Sequence, residues 1–200
     1  APDPAAPPGP ELPAPRAAPA PSGRGRRPRF TLPLIAVAGS NGKTTVTQMI
    51  ASILRAWHPE MHLATQGNLN NDIGLPLTLL RLRKGHRIGV IELGMNHPGE
   101  IGYLADIAMP TVAMVNNAQR EHQEFMATVQ AVAEENGSVF RALPPGGVGV
   151  VPAGEEVTML WAGLADARPC MTFGDAQDSG ADVFLAGSEW QQGHWNVRAQ

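Results

Sequence analysis

Seven consecutive residues, Gly39-Ser40-Asn41-Gly42-Lys43-Thr44-Thr45, combine the parts that a phosphate group needs. Glycines let backbone N–H groups approach phosphate oxygens, and a helix opening at such a loop adds a favourable dipole. The ammonium of Lys43 is a point charge suited to β- and γ-phosphates, and the hydroxyl of Thr44 is a hard oxygen ligand for Mg²⁺. Residues 39–45 are therefore the nucleotide-binding candidates, with ATP and Mg²⁺ as the expected cofactors. The general P-loop pattern would put its first glycine where Val37 stands, so this loop is a shorter variant opening at Gly39. A glycine turn carrying a chance lysine is the competing reading. The strand pattern before the loop and the helix pattern after it weigh against that.

Other residues can join this chemistry. Glu92 ends the apolar run Ile88–Leu93, where a carboxylate is costly unless it is used. At the C-terminal edge of a sheet beside a P-loop it suits a Mg²⁺ ligand, the alternative being a strand-end residue that merely reaches solvent. His122, beyond Asn116-Asn117, is by itself an ordinary loop histidine. Asn68, Asn70, Asn71 and Asp72 form an amide-rich loop, for which a plain turn with Asp72 as a helix N-cap is the simple account. His58 and His62 are four apart, but Pro59 denies them a shared helix face. Trp57, Trp161, Trp190 and Trp195 show no clustered spacing and are expected to pack. Cys170 is the single cysteine, which excludes an internal disulfide framework and favours a reducing compartment.

The elements that must position these groups follow from patterning. Leu32–Ala38, Met61–Thr65, Ile88–Leu93, Thr111–Val115 and Gly147–Val151 read as buried strands. Thr44–Trp57, Ile73–Leu82, Pro98–Ala108, Ala127–Leu143 and Glu155–Leu164 read as helices, the first with Val46, Met49, Ile50, Ile53 and Leu54 at helical spacing. Strand alternating with helix predicts an α/β fold with a mostly parallel sheet flanked by helices. Asp182–Ala186 and His194–Arg198 predict a C-terminal antiparallel hairpin.

Composition sets the outer bounds. Of 200 residues, 19 are proline, and ten of those lie in residues 1–29, where Leu12 is the single large aliphatic side chain. That stretch cannot bury enough apolar surface to offset its ordering entropy, so it is expected to be a solvated linker preceding a domain over residues 30–200. The formal charge of −3 divides into +3 for residues 1–29 and −6 for the remainder. A body that acidic argues against nucleic acid as a partner. No apolar run approaches the ~18 residues of a membrane-spanning helix, and the proline-rich start lacks the apolar stretch of a signal peptide. The missing initiator Met suggests a piece of a longer chain.

The segment IAVAGSNGKTTVTQMI resembles the ATP loop of the Mur ligases, ATP-dependent amide-forming enzymes of bacterial peptidoglycan synthesis. TQGNLNNDIGLPLTLL (Thr65–Leu80) and VIELGMNHPGEI (Val90–Ile101) are similar to one branch, which joins D-alanyl-D-alanine to UDP-MurNAc-tripeptide. Together the matches run from about Ile35 to Phe140. The resemblance implies a cytoplasmic enzyme whose Lys43 neutralises ATP's phosphates, whose Thr44 and Glu92 hold Mg²⁺, and whose His122 ligates a second magnesium. It implies substrate contacts from Asn68, Asn70, Asn71 and Asn96. It also implies partner domains at both ends that bind the UDP moiety and deliver the amino substrate, so that this chain alone would not ligate.

One departure stands out. The family keeps a carbamylated lysine fourteen residues after the histidine, and here that position is Asn136. Either Glu134 or Glu135 supplies the missing negative charge, or the second site is built differently. Two other classes stay open: a P-loop hydrolase, and a non-catalytic module using the fold for assembly. The hydrolase reading leaves the TQGNLNND segment unexplained.

Overall fold

A computed structural model of the chain describes residues 25–119, 128–154, 156–176 and 179–200. Its strands are β1 (Leu34–Ala38), β2 (His62–Ala64), β3 (Ile88–Glu92), β4 (Val112–Val115), β5 (Val148–Pro152), β6 (Cys170–Gly174), β7 (Val183–Gln191) and β8 (His194–Ala199). Its helices are α1 (Lys43–Trp57), α2 (Gly74–Leu80), α3 (Glu100–Ala108), α4 (Val129–Gly137) and α5 (Thr158–Leu164). The sheet order is β2-β3-β1-β4-β5-β6-β7-β8, parallel up to β7 with β8 antiparallel at the edge. The expected α/β class, the parallel sheet and the terminal hairpin are all present.

Chain order reverses at β1, which pairs with β3 on one side and β4 on the other. The connections after β1, β3 and β4 therefore converge on one crevice beyond the strands' C-terminal ends, the place where open α/β sheets bind ligands. One face of the sheet buries Val37 and Val90 against Ala51 and Leu54 of α1. The other buries Leu34, Ala36 and Ile91 in one cluster with Leu75 of α2, Ile101 and Leu104 of α3, Val132 of α4 and Trp161 of α5.

Several boundaries move for physical reasons. β1 begins at Leu34 because Pro33 has no N–H for the ladder. Helix α2 is capped by Asn71, whose Oδ1 accepts from the backbone of Ile73 (3.2 Å) and Gly74 (2.8 Å), so Asp72 is not the cap. The helix expected over Ala127–Leu143 is α4 followed by a 3-10 turn, Ser138–Ala142. Strand β6 carries no clear alternation and was not expected as a strand; it holds Cys170 half-buried.

The tryptophans divide. Trp161 is fully buried and donates to the Ala133 carbonyl at 2.9 Å. The expectation of packing fails for the other three, since Trp57, Trp190 and Trp195 are all exposed. Trp190 and Trp195 sit opposite each other across the hairpin, edge to face at 5.4 Å. In α1, Met49 and Ile53 also face outward, while Thr47, Ala51 and Leu54 point to the sheet. At the N-terminal side, Gly25, Pro28 and Arg29 are exposed, but Arg27 departs from the expected solvated run. Arg27 is 5% exposed and donates to the carbonyls of Phe30, Leu32, Ala108 and Met109, tying residues 27–32 to the end of α3.

Candidate nucleotide and metal site

The loop between β1 and α1 is held from two sides. Ser40 N donates to the Asn117 carbonyl at 3.1 Å, and Asn41 N donates to Asn117 Oδ1 at 3.0 Å. Asn116 and Asn117 each donate through Nδ2 to the Asn41 carbonyl, and Ser40 Oγ accepts from Gln119 N at 2.9 Å. Gly39 N donates to Oδ1 of Asn136, a fully buried residue of α4. Gly39 has φ +132°, and a Cβ there would lie 3.0–3.1 Å from Asn116 and the Asn117 amide. A side chain is therefore excluded on two grounds, conformation and space.

These contacts occupy the amides of residues 39–41. The amides left for an anion are those of the first turn of α1, where the N–H groups of Lys43, Thr44 and Thr45 have no intrahelical acceptor. Lys43 folds back over the loop, its Nζ 2.6 Å from the Gly39 carbonyl and 2.9 Å from that of Ser40. A triphosphate that displaced those carbonyls would meet an ammonium already in position.

The candidate metal side is built around Glu92. Only 2% of this residue is exposed; its Oε1 accepts from Thr44 Oγ1 at 3.1 Å and from Asn70 Nδ2 at 2.7 Å. Its backbone N donates to Thr65 Oγ1 at 2.9 Å. Its second oxygen, Oε2, is buried with no hydrogen-bond partner. An unpartnered buried carboxylate oxygen beside a hydroxyl is a hard-oxygen donor pair, and it fits Mg²⁺ better than any soft metal. The Asn70 amide reaches Glu92 by passing Gly94, where a Cβ would lie 2.8 Å from it.

The remaining expected residues take separate places. Asn68 lines an open cleft of about 480 Å³ that runs from Thr44 past Gln48 to Arg55 and Arg81. Asn71 is occupied in capping α2. Asn96 offers its backbone N–H to Glu100 Oε2 at 2.6 Å, and His97 Nδ1 lies 3.1 Å from Glu100 Oε1. Burial pushes the Glu100 carboxyl up, but the amides of Asn96 and His97 and the His97 ring outweigh it and hold the group below its ordinary value. His122 lies outside the described residues; among the described residues no group of three or more His, Cys, Asp or Glu side chains forms a metal cluster.

Both candidate substitutes for the expected lysine have other partners in the structure. Glu135 accepts from Gly99 N at 2.8 Å and Ile101 N at 2.9 Å, capping α3, while exposed Glu134 bonds to Gln130. Both carboxylates are committed to helix surfaces. The side chains that sequence reasoning missed are Thr65, Asn116, Asn117 and Gln119. Two consecutive asparagines directly after a buried strand were the available signal for the middle pair.

Residues 37–197 match the family description "Mur ligase middle domain". The chain belongs to the Mur ligase family. Among curated Mur ligases it is 44% identical over 129 residues to the UDP-N-acetylmuramoyl-tripeptide–D-alanyl-D-alanine ligase of Haemophilus influenzae, covering 64% of this chain and 28% of that protein. It is 39% identical over 140 residues to the Escherichia coli enzyme of the same name, covering 70% and 30% respectively. The fold superposes on MurF from Acinetobacter baumannii with a TM-score of 0.81 at 36% identity, over 90% of this chain and 39% of that one. For MurF from Thermotoga maritima in complex with ADP, the TM-score is 0.76 at 27% identity, covering 90% and 40%. This Mur ligase segment thus spans less than a third of the curated relatives it matches.

Proposed function

We propose that the chain is the ATP-binding middle domain of a bacterial, cytoplasmic ligase that joins D-alanyl-D-alanine to UDP-MurNAc-tripeptide. The observation that carries this is the contact of Thr44 Oγ1 with the Glu92 carboxylate, whose other oxygen is unpartnered, beside the Lys43 loop. In the reaction, the tripeptide carboxylate attacks ATP's γ-phosphorus, giving an acyl phosphate and ADP. The amine of D-alanyl-D-alanine then attacks the acyl carbon, the C–N bond forms, and inorganic phosphate leaves with the C–O bond.

For the first step, what this chain supplies is positioning and charge neutralisation. Lys43 and the amides of the first turn of α1 orient the triphosphate. Thr44 and Glu92 would hold Mg²⁺, which when bound offsets charge on the β- and γ-phosphate oxygens. Asn70 holds the Glu92 carboxylate and Thr65 holds its backbone N–H, and Asn68 lines the cleft that would receive the substrate. His122 as a ligand to a second magnesium, Asn96 as a substrate contact, and flanking domains that supply the UDP site and the amino substrate rest on the family relationship.

Isothermal titration of the chain with Mg-ATP tests the reading. Measurable heat from the wild type and at least a tenfold loss in Lys43→Ala are expected, the size of one charge-assisted phosphate contact. Equal heats from both proteins would remove the loop from nucleotide binding.

A further inference from the structure

Asn136 is a fully buried polar side chain in an otherwise apolar layer of α4. Burying an amide is costly unless its donor and acceptor are both matched. Here Oδ1 accepts from Gly39 N at 2.9 Å while Nδ2 donates to the Val132 carbonyl at 3.1 Å. Those two bonds fix the orientation of the amide, because the reversed group would set an NH₂ against the Gly39 N–H. The partner in the loop, Gly39, cannot carry a side chain, and its φ of +132° directs the turn. The helix partner, Val132, lies one turn back on α4.

From this geometry we infer that Asn136 is a positioning residue for the phosphate loop, resting on the nucleotide reading above. It has no contact with the nucleotide itself. By engaging the Gly39 N–H from behind, it sets the direction in which the chain enters residues 40–42. Asn117 then takes the next two amides from the side. With all three amides engaged by the protein, the loop presents its first helical turn outward before any nucleotide arrives, which lowers the ordering cost of binding. The contacts to Gly39 and Val132 involve no charged group.

The test compares Asn136→Ser with wild type and with Leu104→Ala in the full chain. Serine can satisfy its own hydroxyl on the carbonyl one turn back and is too short to reach Gly39. Leu104→Ala opens a cavity in the buried face of α3 and lowers stability without touching the loop. Asn136→Ser is expected to weaken Mg-ATP binding about tenfold by titration calorimetry, the size of one buried hydrogen bond. In ¹⁵N spectra, the Gly39 amide should shift and exchange faster in Asn136→Ser. Leu104→Ala is expected to melt earlier, yet bind Mg-ATP within about twofold of wild type. Unchanged affinity in Asn136→Ser overturns the inference, as does an equal loss in Leu104→Ala. Were wild type to bind no Mg-ATP, the nucleotide reading would fall on its own. The Gly39 amide would still decide the contact, since equal exchange in wild type and Asn136→Ser refutes it.

Discussion

Glu92 carries a carboxylate to the buried end of β3 and leaves one oxygen without a donor. In the free protein that is a stability cost, and Mg²⁺ is the species that would relieve it. Glu92→Gln should therefore melt a few degrees higher than wild type without metal, since about 1 kcal/mol moves a domain of this size by roughly 2–4 °C. It should also lose the further rise that Mg-ATP gives wild type; a thermal scan with and without Mg-ATP reads both effects. Glu92 was legible because a charge at the end of an apolar run is anomalous by itself. Its supports, Asn70 and Thr65, were not, because their roles depend on loop paths that no residue spacing encodes. Glu100 gives a pH-dependent case. Its folded-state pKa is held down, so the stability it contributes is present above its unfolded value and is lost as pH falls through the depressed one. Glu100→Gln should flatten the acid limb of a stability-against-pH curve below about pH 4.5, the ordinary value for this carboxyl. An unchanged acid limb would show that the contacts from Asn96 and His97 do not persist in solution.

At the scale of elements, helix ends carry much of the organisation. The N-terminus of α3 is closed by Glu135 from α4, a cap delivered across 34 and 36 positions of sequence. Removing it in Glu135→Ala strands two N–H groups and should cost about 1–2 kcal/mol in denaturant unfolding. Mg-ATP affinity should stay unchanged, and a marked loss of affinity would return this carboxylate to the metal. Asn71→Ala, which uncaps α2, should cost about 1 kcal/mol by the same measurement. Periodicity was enough to find α1, since its apolar residues recur at helical spacing. It misjudged the buried face, because Thr47 packs inward while Met49 and Ile53 stand in solvent. Apolar identity marks a helix more surely than it marks which side of that helix the sheet will cover.

Taken whole, the molecule hangs its first strand on distant partners. Arg27 braces the segment leading into β1 by donating to four carbonyls, two of them at the end of α3. A lysine cannot reproduce that fork. Arg27→Lys should lower stability by about 2 kcal/mol or more, checked by urea unfolding, and a change under about 0.5 kcal/mol would reduce the contact to a surface one. Composition had assigned this arginine to a solvated run, because burial of a cation by carbonyls leaves no mark in charge patterning. The central place of β1 has a consequence for how the chain reaches this state. Ile35 pairs with Val90 on one side and Val112 on the other, so the first-made strand of the sheet waits for two later ones before both its edges are covered. During synthesis its ladder edges stay open until β4 has left the ribosome, and closing such distant pairings is slow. A nascent chain halted near Pro110 would carry a bare, apolar β1 edge, and pairing with a neighbouring chain through that edge is its expected fate.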